Sequence, residues 1–350
     1  MTSDHVNGLG ERAEFKVAAL YLFVALPDFE ELRMPLTEFC DAREIKGTLL
    51  LAREGVNGTV AGSPEAIDEL ITYLKTGNIF KNRLAPVDVK YSFSHKAPFR
   101  RLKVRLKQEI VTMRAPEANP TEQVGAYVTP DQWNEIISDP DMVVIDTRND
   151  YEVAIGSFKG AIDPETKSFT DFKDWVSENL KPEETPKVAM FCTGGIRCEK
   201  ASSYMLAHGF EEVYHLKGGI LRYLEEQPQE ESLWQGGCFV FDDRVAVGHD
   251  LKPQDYLLCH ACRQPLSPED RAHPDYELGV QCSYCVNERS EAERERARER
   301  QKQMSLAREK GVAHLGDQAA LDAEARRAEK KQQKDAQRQL HHEQKETDDA

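Results

Sequence analysis

The sequence predicts an α/β protein built around a parallel-sheet domain, with a smaller α+β domain before it and a cysteine-rich module with a charged tail after it. Three observations carry this. Strand-like and helix-like segments alternate between about residues 123 and 232, the pattern of a parallel sheet with helices on both faces. Residues 15–115 read as strand, helix, two strands, helix and a further strand. Beyond Trp234 the apolar pattern gives way to paired cysteines and then to charge.

The 350 residues are enough for two or three domains with buried cores. A formal charge of −15 excludes a uniformly basic nucleic-acid coat, so any polyanion partner must meet a local patch. There is no run of eighteen apolar residues and no hydrophobic signal core at the N-terminus. A soluble, cytoplasmic protein without membrane contact is therefore expected. In that compartment the eight cysteines read as thiols or metal ligands rather than disulfides.

Residues 1–14 are polar and expected to be disordered. Val17-Ala18-Ala19-Leu20-Tyr21-Leu22-Phe23-Val24, bounded by Pro27, reads as a central strand, and a helix follows with Leu32, Leu36, Phe39 and Cys40 inward. On that helix Cys40 is a core thiol without a role. A second strand, Gly47–Ala52, leads into Arg53–Gly62, where the Asn57-Gly58 pair suggests a hairpin turn. Ser63 and Pro64 open the next helix as cap and first-turn proline. This order indicates a ferredoxin-like domain over 15–115.

The local patch comes next. In Arg100-Arg101-Leu102-Lys103-Val104-Arg105-Leu106-Lys107, strand alternation puts the apolar residues on one face and Arg101, Lys103, Arg105 and Lys107 on the other. A solvated strand face usually mixes signs; a row of cations on an acidic chain points to phosphate binding, with Lys96 and Arg100 alongside. His95 and the aromatics Tyr91, Phe93 and Phe99 precede it as stacking partners for bases.

Ala115-Pro116-Glu117-Ala118-Asn119-Pro120 looks like a linker, and Thr129–Ile137 like a capped helix leading into the Val143 strand. The central segment is Phe191-Cys192-Thr193-Gly194-Gly195-Ile196-Arg197-Cys198-Glu199-Lys200. Val188–Phe191 is a buried strand, and Arg197 onward, with Ala201, Tyr204, Met205 and His208 at helical spacing, is a helix. Cys192 thus sits where a strand turns into a helix, at the carboxyl end of the sheet. The intervening glycines let successive N–H groups point at the sulfur beside the positive end of the helix, which favours the thiolate. Four residues separate Cys192 from Arg197, one fewer than in cysteine phosphatases, so the ring suits sulfur better than phosphate.

This loop resembles the active-site loop of rhodanese domains, whose cysteine carries a persulfide. Val143–Arg148 with Tyr151-Glu152 and Gly156–Ala161 resembles that family's upstream signature, and His215-Leu216-Lys217-Gly218-Gly219 its closing strand and turn. The resemblance implies a rhodanese-like domain over 123–232, with Thr193, Gly194, Gly195 and Ile196 as the loop and Asp146 and Arg148 either orienting it or forming a structural pair. Cys198, one residue after Arg197, either resolves a persulfide or faces the sheet.

In the third region, assigned to 236–290, Cys259, Cys262, Cys282 and Cys285 form two C-x2-C pairs nineteen residues apart. That spacing suits a structural zinc site, with reduced, metal-free knuckles as the alternative. Residues 291–350 are charged and of mixed sign, a solvated helix or a disordered tail in which His341 and His342 are solvated.

Taken together, Gly47–Thr59, the central loop running on into Cys198-Glu199-Lys200-Ala201 and the paired cysteines resemble the oxygen-dependent tRNA uridine hydroxylases over roughly residues 15–290. The resemblance implies a monooxygenase that converts the wobble uridine of tRNA to 5-hydroxyuridine, with molecular oxygen as co-substrate, Cys192 essential and the anticodon loop as partner. No motif identifies an electron donor. Chemically, Cys192 can activate C5 by adding to C6, with a persulfide on Cys192 an equally open form, while Arg197 either steadies the developing charge or merely closes the loop. The alternative is a sulfurtransferase passing persulfide sulfur to a small acceptor, which needs neither the first domain nor the cationic strand.

Overall fold

The computed structural model describes residues 14–185 and 187–309. The expectations for the extreme N-terminus and for the tail beyond residue 309 lie outside the described residues. The described residues form two compact units, one of residues up to Leu258 together with Arg263–Ala272, the other of Cys259–Cys262 and the described residues from His273 to Glu309.

The first unit contains two principal sheets. In the first, β1 (Phe15–Phe23), β2 (Lys46–Ala52), β3 (Gly55–Gly62), β4 (Asp88–Ser94) and β5 (Leu102–Leu106) lie in the order β4-β1-β3-β2-β5. Helices α1 (Phe29–Asp41) and α2 (Pro64–Thr76) complete the βαββαβ order. Leu32, Leu36 and Cys40 of α1 and Ile67, Leu70 and Leu74 of α2 bury against Ala18, Leu20, Leu49, Leu51, Val60 and Val104 on one sheet face. Ser63 caps α2 by accepting from the Ala66 N–H at 3.1 Å. The cationic strand, β5, adds to the edge parallel to β2.

The hairpin joining β2 and β3 turns at Arg53-Glu54, not at Asn57-Gly58, which lies inside β3. The glycine is there because a Cβ would sit 2.2 Å from the Thr48 carbonyl oxygen, a close-approach requirement that mimics a turn signal. Asn57 donates its side-chain amide to the Ile110 carbonyl at 2.9 Å.

The second sheet contains β6 (Ala126–Val128), β7 (Met142–Asp146), β9 (Lys187–Phe191) and β10 (Glu212–Leu216) in the order β6-β10-β9-β7, all parallel. A short strand β8 (Gly156–Phe158) pairs with β11 (Trp234–Gly236). Helices α3 (Pro130–Ile137), α4 (Asp150–Val153), α5 (Phe172–Asn179), α6 (Ile196–Ala207) and α7 (Gly219–Glu226) surround it. Trp133 and Tyr223 pack on one face with Phe158 and Phe191, whereas Phe172, Ala201 and Met205 pack on the other. Trp234, Cys238, Val240, Val247 and Leu251 join the former core, so residues well past Trp234 share it. The segment read as a linker has no regular structure, yet Ala115 and Ala118 are buried in the other core, the Ala118 N–H satisfied by the Ala115 carbonyl at 3.0 Å.

The two sheets are fastened by buried polar contacts. Lys200, 2% exposed, donates to Glu54 at 2.9 Å, to Glu109 at 2.5 Å and to the Val111 carbonyl at 3.1 Å. Tyr21 donates its hydroxyl to Glu199 at 2.8 Å. Deleting one partner of such a cluster strands the others, so Lys200→Met should lose about 2–4 kcal/mol of unfolding free energy in urea titration, the conservative Lys200→Arg less.

Candidate active site

Cys192 follows β9, an interior strand, and the chain turns through Gly195 (φ +99°) into α6. The Gly195 N–H donates to the Cys192 sulfur at 3.1 Å. The loop is held from behind by α7, whose Ile220 and Leu221 N–H groups donate to the Cys192 and Thr193 carbonyls at 3.0 and 3.1 Å. Burial by itself pushes the Cys192 thiol up. The Cys198 thiol, the Arg197 charge and the backbone N–H groups of Cys198 and Arg197 outweigh it and bring the group down to about 6. Cys192 is therefore largely thiolate at neutral pH. Cys198 moves the opposite way, raised well above the ordinary thiol by burial and by the neighbouring thiolate. It is fully buried, its sulfur 3.5 Å from the Thr147 hydroxyl, and acts on Cys192 as a hydrogen-bond donor.

Arg197 gives both Nη atoms to the two oxygens of Glu152, each at 2.8 Å. Burial raises the Glu152 carboxyl, but the Arg197 charge and hydrogen bonds more than offset this and hold it below the usual range. Asp146 and Arg148, both fully buried, form a second bidentate pair at 2.6 and 2.8 Å. Arg148 also donates to the Glu152 and Gly156 carbonyls at 3.2 and 2.5 Å. This pair fixes the segment that carries Glu152 and acts on the loop through it.

A cavity of about 500 Å3 lies between this loop and the helix-free face of the first sheet, large enough for a nucleoside. Cys192, Thr193, Gly194, Ile196 and Arg197 border it on one side; Tyr21, Thr48, Leu50, Asn57 and Lys90 do so on the other. Lys103 and Arg105 pair in register with Thr48 and Leu50, so the cationic row continues the cavity's own wall. Burial together with the Arg101 and Arg105 charges lowers the Lys103 ammonium, the mark of crowded like charges. Arg101, Arg105 and Lys107 are exposed, as is Lys96, whereas Arg100 reaches Asp243 at 3.6 Å. Tyr91 packs against the core of the first sheet with the Lys16 ammonium 4.3 Å from its ring centroid, while Phe99 borders the cavity.

Sequence reasoning missed Lys90, Tyr21 and Arg244. Arg244 bridges Asp242 and the Ser92 hydroxyl, the latter at 2.8 Å. The alternation of Lys90, Ser92 and Ser94 in an otherwise apolar strand was the available signal.

In the second unit the sulfurs of Cys259, Cys262, Cys282 and Cys285 lie within 4.8 Å of one another. Neighbouring sulfurs are 3.7, 3.8 and 3.9 Å apart. Tetrahedral ligands at zinc–sulfur distance stand about 3.8 Å apart, so the four thiols fit a closed zinc site. Arg298 of helix α9 (Glu291–Glu309; α8 is Pro268–Ala272) pairs with Glu277 at 2.8 Å and Glu291 at 2.8 Å in the same unit. No helix among the described residues is long and apolar enough to cross a membrane.

Residues 129–226 match the rhodanese-like domain family, and residues 15–110 match the UPF0176 acylphosphatase like domain. A cysteine-centred rhodanese fold joined to an acylphosphatase-like sheet is thus the class to which this chain conforms. The tRNA uridine(34) hydroxylase of Rhizobium leguminosarum bv. trifolii is 54% identical over 89% of this chain and 99% of its own length. Those of Agrobacterium fabrum and Rhizobium etli are each 55% identical, over 87% and 86% of this chain and 95% and 96% of theirs. The chain belongs to the tRNA uridine(34) hydroxylase family.

Three outcomes follow from the geometry. Alkylation of Cys192 by iodoacetamide should rise with pH about a midpoint near 6, because the thiolate is the reacting form. Replacing Arg197 by Met together with Glu152 by Gln, which leaves no unpaired carboxylate, should move that midpoint upward. Purified protein should carry about one zinc per chain by elemental analysis, and Cys282→Ser should lose it.

Proposed function

We propose that the chain hydroxylates uridine 34 of tRNA at C5 with molecular oxygen, forming 5-hydroxyuridine, and that Cys192 activates the base. The observation that carries this reading is the cavity bordered at once by the Cys192 loop and by a sheet face that runs on into Lys103 and Arg105. The wobble base lies in a single-stranded loop, so its entry costs little unstacking, while the cationic row holds the flanking phosphates.

The chemistry accords with the residues. C5 of uracil becomes electron-rich when a thiolate adds to C6, and Cys192 is a thiolate at neutral pH. One oxygen atom then enters C5 and the other leaves as water, with two electrons and two protons from a separate donor. Arg197, bound at both Nη atoms by Glu152, supports the sulfur as a fixed charge and closes the loop. The four thiols of the second unit would hold zinc structurally, since a tetrahedral thiolate set leaves no open position.

Nucleoside mass spectrometry tests the activity: with tRNA and oxygen, the wild type forms 5-hydroxyuridine and Cys192→Ser forms none. Thiosulfate turnover with no change in tRNA would instead favour the sulfurtransferase. Reversing Arg101, Lys103 and Arg105 to Glu should weaken tRNA binding by at least about 100-fold and flatten its salt dependence, leaving Cys192 alkylation unchanged.

A further inference from the structure

Among the described residues three cations border the cavity, and two are committed to carboxylates. Arg197 is held by Glu152, and Arg244 gives Nε and Nη2 to Asp242 at 2.9 and 2.6 Å. Lys90 differs. It sits on β4 opposite Ala19 of β1, on the sheet face that meets the cavity, and is 5% exposed. Asp88 lies 3.5 Å from its ammonium, but Asp88 is also held by Arg222 at 3.1 Å. The Tyr21 ring centroid is 5.2 Å away. Glu199 also acts on Lys90 through charge, but is held by the Tyr21 hydroxyl. A buried ammonium whose nearest carboxylate is loosely placed and shared is expensive, and sheet pairing demands no charge at this place.

Thiolate addition to C6 of uracil creates the need such a group fills. As the Sγ–C6 bond forms, the C5–C6 electron pair moves toward C4 and the charge settles on O4 as an enolate. In the loop, the Gly195 N–H is already engaged by the sulfur, and both Nη atoms of Arg197 by Glu152. We propose that Lys90, on the first sheet across the cavity from the Cys192 loop, is the catalytic residue that hydrogen-bonds O4 of the substrate uracil and stabilises this enolate. The assignment rests on the reading that Cys192 adds to C6. It makes the first domain a contributor to the chemistry as well as an RNA-binding surface.

Without oxygen the step is redox-neutral. The enolate takes a solvent proton at C5; loss of a C5 proton and expulsion of the thiolate then restore uracil. In D2O the C5 hydrogen of uridine 34 therefore exchanges for deuterium, which nucleoside mass spectrometry reads directly on full-length protein with tRNA under anaerobic conditions. Lys90→Met should slow exchange about 100-fold, the usual cost of losing one donor to a developing oxyanion, with tRNA affinity within about twofold of wild type. Arg222 still pairs with Asp88 in that variant, which protects the fold. If the methionine variant nevertheless melts early, Lys90→Gln, a neutral donor, should lose about tenfold. Wild-type exchange by either folded variant, with none by Cys192→Ser, overturns the role of Lys90 and leaves the addition standing. No exchange by wild type, or exchange by Cys192→Ser, overturns the addition step and the assignment with it.

Discussion

A sulfur anion removed from water is the condition on which the rest of this site depends. Burial of Cys192 works against the thiolate, and the charge persists because the Cys198 thiol, Arg197 and successive backbone N–H groups converge on it. That convergence requires Arg197 to stay where it is, and a buried guanidinium stays only when neutralised. Glu152 does this with two hydrogen bonds, and the Asp146–Arg148 pair fixes the segment that carries Glu152. Sequence order hides this chain of dependence, since its members come from β7, α4, the β9–α6 loop and the first turn of α6.

The second dependence is between domains. A rhodanese loop by itself faces solvent; here the first sheet closes over it, fastened by Lys200 to Glu54 and Glu109 and by Tyr21 to Glu199. Glu199 and Lys200 follow the loop directly, so the same first turns of α6 that present the anion also dock the opposing wall. The outcome is a cavity with the Cys192 loop on one side and, on the other, a polar wall continuous with a cationic strand.

Much of this was readable in the sequence because it follows from local periodicity. The strand before Cys192, the helix after it, the Ser63 cap and the alternation along Leu102–Leu106 all depend on neighbours a few residues apart. The cysteine pairs were legible because tetrahedral ligation constrains spacing. What failed did so for non-local reasons. Asn57-Gly58 looks like a turn until the Thr48 carbonyl is placed against Gly58. Lys90 looks like an ordinary strand lysine until a second domain buries it. The Glu152 carboxylate that binds both Nη atoms of Arg197 lies forty-five residues away, beyond the reach of any local pattern.

The central claim is a covalent bond between Cys192 and the base. The most direct measurement uses tRNA carrying 5-fluorouridine at position 34 in the presence of oxygen and a reductant, because once oxygen has entered C5 the fluorine leaves no C5 proton to lose and the elimination that would release the adduct is blocked. After incubation and digestion, mass spectrometry should find the nucleotide attached to the peptide containing Cys192. Bound tRNA without an adduct, or an adduct on a different residue, would contradict it.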